Sequence, residues 1–327
     1  MERSYGGIRE GKAEAVERLG FYLAAAHRRR CRAGATGMPF AEYALDELFD
    51  SELYRRLAGI EKNPANREIL EKLSQQERSH YEFWSRFSGS VELGRWDRLK
   101  LAFLVLSSRI LGKVFIIKFL ERHEGRVVEE YVRVLESAGL SEEQREALKG
   151  IIEDEKYHEE ALASQIDEFA VRHLGAMALG MSDAIIELSG VHAGFLGYTS
   201  SPIYTGISGL IVGISASMSM AAAAYLQAKQ EKGKSPAVNA LVTGLMYMLT
   251  VVMLTSPFFL VPSVATALAA SVALAVAALA AFSYFSSVIL GGNFLREFLE
   301  NTSIVFLVVL VGYLFGSLVE RVFGFRP

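Results

Sequence analysis

Two stretches of this chain carry the same chemically capable side chains in the same order. The first holds Glu47, Tyr54 and Glu77-Arg-Ser-His80, and the second holds Glu124, Tyr131 and Glu155-Lys-Tyr-His158. Glu to Tyr is seven residues in both, and Tyr to the next Glu is 23 in one and 24 in the other. Seven residues is two helical turns, and Glu-x-x-His is an i,i+3 pair, so each pair faces one side of its helix. In a four-helix bundle, one Glu from each of two helices and a Glu-x-x-His from each of the other two enclose a pair of iron or manganese ions. Carboxylates suit Fe(II) and Mn(II), and imidazole favours transition ions over calcium or magnesium. A lone Glu-x-x-His is an ordinary solvated helix face; the matched repeat is what singles out Glu47, Glu77, His80, Glu124, Glu155 and His158. Their acidic neighbours Asp46, Asp50, Glu52, Glu153 and Glu159 are expected on solvated faces. Tyr54 and Tyr131 are read as packing residues or as hydrogen-bond donors to the ligands.

A second group lies in apolar surroundings. Gly180-Met-Ser-Asp183-Ala-Ile-Ile-Glu187 sets two carboxylates at i,i+4, with His192 further on. An ionisable group inside a membrane span costs a few kcal/mol to insert, so it marks a functional site by default. No Arg or Lys in any span can pair with Asp183 or Glu187, so a wet cavity or a metal is needed. Met218 and Met220 follow in the next apolar stretch. Thioethers there are usually packing groups, but opposite a carboxylate they are weak soft ligands for a transition ion in transit. Gly209 and Gly213 form a small-x-x-x-small pair that lets helices approach closely.

Periodicity and punctuation supply the elements that must position these groups. Four helices are expected at about 40–59, 65–88, 96–138 and 142–172. Pro39 suits the start of the first, Asn63 or Asn66 the cap of the second, and Ser141 the cap of the fourth. The third contains LAFLVLSSRILGKVFIIKFL, interrupted by Arg109, Lys113 and Lys118. Three cations are costly at bilayer depth, so this reads as a core helix that also touches a membrane or a partner. From Leu174 the pattern turns to runs of about 20 apolar residues, the length that crosses a bilayer. Five spans are expected, at about 174–196, 205–228, 237–256, 262–290 and 300–320. The links at 229–236 (Lys229, Lys232, Lys234) and 291–299 (Arg296) are basic, which places them on the cytoplasmic side. The domain before the spans then lies in the cytoplasm and the C-terminus outside. The fold class is all-α, a four-helix bundle followed by five transmembrane helices. The expected domains are an arm over 1–38, the bundle over 39–173 and the membrane domain over 174–327.

Composition bounds the remaining functions. Of 327 residues, 51% are hydrophobic, yet nearly all charges precede residue 174. A net charge of −3 with no basic stripe argues against nucleic acid. The single cysteine, Cys31, excludes an intrachain disulfide and a four-cysteine metal site within one chain. No secretory signal is visible. Lys12–Arg30 reads as a short amphipathic helix with a basic end at His27–Arg30, on a solvated or membrane-surface arm.

Residues 40–173, with the Tyr54-Arg-Arg-Leu-Ala58 run and Glu77-Arg-Ser-His80, resemble the ferritin and rubrerythrin superfamily. That resemblance implies a di-iron (Fe2+/Fe3+) centre, with manganese as the alternative. It carries over Glu47, Glu77, His80, Glu124, Glu155 and His158 as ligands and adds Glu121, one turn before Glu124. The first two spans resemble the vacuolar iron transporter family through Ser182-Asp183, Gly190, Gly194 and Ser219-Met220-Ala-Ala-x-x-Tyr225. That resemblance implies a homodimer with an ion path lined by Asp183 and Met220, and protons as counter-ion. Two departures stand out. Ala223-Ala224 replaces the usual Gly-Glu before the tyrosine, and only residues 229–234 stand where plant members carry a metal-binding insert. Rubrerythrins also usually carry a four-cysteine electron-transfer centre that this chain lacks, which weakens peroxide reduction as its activity. The fused order resembles the membrane-bound ferritin-like transporters of prokaryotes.

The function expected is therefore export of Fe(II), with Mn(II) as a second substrate, across the cell membrane by a lipid-embedded homodimer. Asp183, Glu187, Met220, His192 and Met218 are the ion-path candidates. A membrane-anchored ferroxidase or rubrerythrin-type peroxidase is the rival, and an iron sensor gating the pore is a third reading.

Overall fold

The structure is a computed structural model that describes residues 40–121, 125–137, 139–163, 166–231 and 233–324. The side chains of 121, 125–126, 137, 156–163 and 198 are outside that description. The expected arm over 1–38, with Cys31, also lies outside the described residues. Every described element is a helix, and the chain divides into two compact units at Glu168–Phe169.

Unit 1 begins with a helical hairpin, α1 (Phe40–Ile60) and α2 (Pro64–Ser88). Asn63 caps α2 by accepting from the Ala65 N–H at 3.0 Å, with Pro64 in the first turn, where its missing N–H costs nothing. Asn66, the other cap candidate, instead bonds both backbone groups of Asp167, at 2.9 and 3.0 Å. Ser51 and Ser74 each donate to the other's carbonyl at 2.9 Å, so α1 and α2 pack closely through small residues. A core of aromatic rings closes the unit beside the hairpin: Trp84 lies 5.0 Å from Tyr43 and 4.7 Å from Tyr131 between ring centroids.

The single long third helix expected over 96–138 is not what forms. The segment is α3 (Arg95–Leu111), α4 (Lys113–Glu121) and α5 (Gly125–Ser137). The first break is at Gly112, with φ +89 and ψ 157, a conformation open essentially to glycine alone. Its cause lies far off in sequence. The Glu168 carboxylate accepts from the N–H groups of Lys113 (2.6 Å) and Val114 (3.2 Å), capping α4 as a separate helix. The Lys113 ammonium pairs with Glu61 at 2.8 Å. The fourth helix also falls short of 172: α6 covers Glu142–Ala163, and residues 166–168 are not helical, the Asn66 side chain taking the Asp167 backbone and the Glu168 side chain turning to cap α4. Ser141 and Gln144 cap its start reciprocally.

Unit 2 opens with the short α7 (Phe169–Arg172) and continues with α8 (Leu174–Tyr198), α9 (Pro202–Gln230), α10 (Pro236–Thr255), α11 (Pro257–Leu260), α12 (Val264–Leu290) and α13 (Phe294–Phe323). Five stretches are long and apolar enough to span a membrane: Leu174–Gly197, Pro202–Gln230, Pro236–Leu260, Val264–Leu290 and Phe294–Phe323. The chain is a multi-pass membrane protein. The third stretch runs on through α11, which had been expected to be a link.

Glycine sets the closest helix contact of unit 2. On α8, Gly190 and Gly194 lie against Gly312 and Gly316 of α13. A Cβ on Gly316 would sit 1.9 Å from the Gly194 carbonyl oxygen, and one on Gly312 2.5 Å from that of Gly190. Two Gly-x-x-x-Gly faces thus bring the backbones together where apolar side chains gain little by leaving lipid.

Replacing Gly112 by Ala forces a strained φ and drives a methyl to 2.4 Å from a Glu168 oxygen. We expect Gly112→Ala to lose about 1–3 kcal/mol and lower the melting point of the purified chain in a circular-dichroism melt. Gly150→Ala, in the open middle of α6, should be neutral or gain up to about 1 kcal/mol. Equal behaviour of the two variants would refute the Gly112 account.

Candidate functional site

Four predicted residues of unit 1 converge. Glu47 of α1, Glu77 and His80 of α2, and Glu155 of α6 each offer one ligand atom, all within 4.8 Å of one another. Glu47, Glu77 and His80 are buried and Glu155 is nearly so. Three helices deliver them: position 47 lies on the inner face of α1, and the i,i+3 pair projects from α2 toward it.

The arrangement is electrostatically unusual. His80 Nδ1 lies 3.2 Å from Glu155, 3.4 Å from Glu77 and 3.5 Å from Glu47, and Nε2 lies 3.5 Å from Asp154. Neither ring nitrogen makes an aligned hydrogen bond. A buried imidazole encircled by carboxylates, with unsatisfied nitrogens, fits a cation-binding site better than a hydrogen-bonded core. Tyr131 of α5 donates to Glu47 Oε1 at 2.5 Å, fixing that carboxylate. Tyr54 is buried.

The titration states follow from these contacts. Burial pulls the His80 pKa down, but the carboxylates of Glu155, Glu47 and Glu77 raise it well above the usual imidazole value. Burial and then the neighbouring Glu47 charge raise Glu155. Burial works against the Glu47 charge, but His80, Glu77 and Tyr131 outweigh it and lower its pKa.

Not every predicted residue can be placed. Glu124 lies outside the described residues, as do the side chains of Glu121 and His158, so the second half of the repeat is represented by Glu155 and Tyr131. Among the neighbours read as solvated, Glu153 is exposed, Glu159 lies outside the described side chains, and Asp46 and Asp50 are half-buried. Burial, then Asp46 and Glu47, raise the Asp50 pKa well above the carboxylate range. Glu52 instead binds Arg55 and Arg56, which hold it down to about 2 against a smaller effect of burial. Asp154 was missed. Its signal was its place immediately before Glu155, which swings it toward the other edge of the His80 ring.

In unit 2, Asp183 and Glu187 are half-buried on α8. Glu187 accepts a very short hydrogen bond from the Tyr247 hydroxyl of α10. The partner that sequence reasoning sought among cations and metals is, for Glu187, a neutral phenol. Tyr247 is fully buried, and a lone hydroxyl-bearing ring mid-span was the signal available. His192 is fully buried, lies against Phe258 at 4.3 Å between centroids with the rings tilted by 47°, and has Ser271 Oγ 3.5 Å from Nδ1. Its Nε2 makes no hydrogen bond, and Gly209 leaves it room: a Cβ there would lie 2.4 Å away. Met220 is half-buried against the core that holds Met181, Ile185 and Tyr247. Met218 is on the opposite, outward side, 71% exposed.

Comparison with known proteins adds one positive finding. Residues 229–317, which hold nearly all of the last three apolar stretches, match the family model described as VIT family. Ser182–Tyr225, which carried the resemblance in the first two spans, precede the matched segment. No curated protein and no solved structure matches the chain.

Binding of a cation by the unit 1 cluster must displace protons from His80 and Glu155, so affinity must rise with pH. We expect Mn(II) affinity, measured by calorimetry on the purified chain, to rise about tenfold per pH unit for each proton released. His80→Ala should bind at least tenfold more weakly with a shallower pH slope. A pH-independent affinity would count against the cluster.

Proposed function

We propose that this chain is a membrane transporter that exports Fe(II), with Mn(II) as a second substrate, and that unit 1 captures the metal in the cytoplasm. The observation that carries this reading is the pair Asp183 and Glu187 within a membrane-length helix, in a chain whose last three apolar stretches match the VIT family. Carboxylates at bilayer depth have no structural use that apolar residues would not serve better.

In this reading the ion is the substrate of unit 2. Asp183 and Met220 contact it, Glu187 shares the path with Tyr247 fixing its orientation, and His192 stands further along, whereas Met218 on the outward side of α9 lies off the path. Carboxylates without cationic partners can exchange a proton for a metal ion, so protons are the counter-ion. The lysines of the 229–236 link and Arg296 at the start of α13 support a cytoplasmic unit 1 and an outer C-terminus, in the cell membrane. The protein works as a homodimer.

In unit 1, Glu47, Glu77, His80 and Glu155 hold metal, with Glu121, Glu124 and His158 completing a ferritin-like di-iron set. Bound iron there would supply Fe2+/Fe3+ redox chemistry. The protein's own contribution is to hold Glu47 ionised and oriented, through the Tyr131 hydroxyl, and to bury the donors between helices.

The test is Fe(II) flux in proteoliposomes. Asp183→Ala and Met220→Ala should each reduce flux at least tenfold, and Tyr247→Phe severalfold. Glu77→Ala should shift the iron concentration dependence and leave maximal flux near wild type. Unchanged flux in the Asp183 and Met220 variants removes them from the path. Fast oxygen consumption with Fe(II) and no flux would make the protein a membrane-anchored ferroxidase.

A further inference from the structure

Helix α3 differs from the other helices of unit 1 among the described residues. Leu101, Leu104 and Ser108 are buried and pack it onto the unit. Its opposite side carries Trp96, Leu99, Phe103, Leu106 and Ile110, spaced three, four, three and four residues apart, which aligns them in one stripe along the helix. These are not stray apolar residues. Trp96 is 70% exposed and Ile110 86%, and the other three lie between 59% and 66%. A continuous exposed apolar stripe of this size marks an interaction surface.

The charges beside the stripe identify what it meets. Arg95, Arg98 and Arg109 are exposed along one edge, and Lys100 lies on the other, over the Phe49 ring at 4.7 Å. The only carboxylate on α3 is Asp97, which accepts from the Gly94 N–H at 2.8 Å at the helix start. Four cations against one acid, arranged around Trp, Phe, Leu and Ile, form the pattern of a helix that lies in a membrane interface. At 17 residues and about 1.5 Å per residue, α3 is too short to cross the hydrocarbon. A second copy of the chain would bring the same cations against their own kind, whereas an anionic lipid surface complements them. The chain that carries α3 also continues into membrane-spanning helices, so such a surface is always at hand.

We propose that α3 docks on the bilayer, with Trp96, Leu99, Phe103, Leu106 and Ile110 entering the headgroup–acyl boundary and the exposed Arg95, Arg98 and Arg109 binding anionic lipid headgroups. The docking stands independently of the transport reading. It also gives the break at Gly112 a use: α3 is oriented as a separate element, not as the first half of a long helix.

The chain supplies its own probe, because its two tryptophans are Trp84, buried in the unit 1 core, and Trp96 on the stripe, with none in the spans. The full chain is placed in nanodiscs of phosphatidylcholine alone or with about a third phosphatidylglycerol, part of the lipid carrying brominated tails. Trp96→Phe supplies the Trp84 background. The expected result is bromine quenching of Trp96 in the anionic discs that falls sharply in 1 M salt, where charges are screened beyond about 3 Å. Arg98→Gln/Arg109→Gln should reduce the docked-to-undocked ratio about 25-fold, from about fivefold per cation near an anionic surface. Leu99→Ser/Phe103→Ser, at exposed positions that leave the core intact, should abolish quenching with helicity unchanged. Equal quenching of wild type and Trp96→Phe in anionic discs overturns the proposal. So does a Trp96 that is shielded in detergent as well as in lipid. Loss of that shielding on deleting residues 1–38 would make the N-terminal arm the occupant, and loss on dilution would make it a second copy.

Discussion

Carboxylates held out of water set the terms for both halves of this protein. Each desolvated ionised group costs several kcal/mol unless positive charge or strong hydrogen bonds offset it. In unit 1, three glutamates and the edge of Asp154 crowd one imidazole. In unit 2, Asp183 and Glu187 occupy a helix with no cation along its length. Removing these groups would ease folding in both places. That they are kept, and that helices from distant parts of the chain are arranged to keep them, is the feature on which the rest of the architecture turns.

The surrounding packing can be read as a response to that constraint. The Ser51–Ser74 contact draws α1 and α2 together beside Glu47 and Glu77. The Trp84, Tyr43 and Tyr131 cluster walls off one side, and the Tyr131 hydroxyl reaches Glu47 from within it. In unit 2 the glycine faces of α8 and α13 allow the helix that carries Asp183 and Glu187 to pack backbone against backbone, while α10 offers Tyr247 on another side. Polar atoms are thus fixed by rigid helix faces rather than by loops, which is what a precise ligand geometry requires.

The sequence was most informative where chemistry and periodicity coincide. Glu47, Glu77, His80 and Glu155 were legible because matched spacing on amphipathic helices leaves few ways to arrange them, and the five apolar stretches because length and composition suffice. The course of residues 96–138 was not legible. Gly112 gave a local hint, but the interaction that breaks the helix comes from Glu168, 55 residues away. The Tyr247–Glu187 bond was hidden for the same reason, since it joins helices 60 residues apart. The shared role of Gly190, Gly194, Gly312 and Gly316 was hidden differently: each Gly-x-x-x-Gly is visible alone, and only the fold shows that the two face each other. Asp46 and Asp50 were misplaced because a helix position predicts a face, whereas burial depends on what packs over it.

On the proposed reading, the two acidic groups suit different strengths of binding. Around His80 the donors are numerous and enclosed, so on the proposed reading a metal ion that displaces the protons of His80 and Glu155 gains several ligands at once and is held firmly. Along α8 the donors are two half-buried carboxylates, one of them already hydrogen-bonded by a phenol. On the proposed reading an ion there gains less, because Tyr247 has taken part of what Glu187 can offer. Passage requires binding that is favourable enough to enter yet weak enough to leave, while capture requires retention. The denser cluster lies in unit 1, where no helix among the described residues is both long and apolar enough to cross a membrane, and the sparser one lies within such a helix. That distribution follows from ligand number and burial alone, and it is the one that capture followed by release would require.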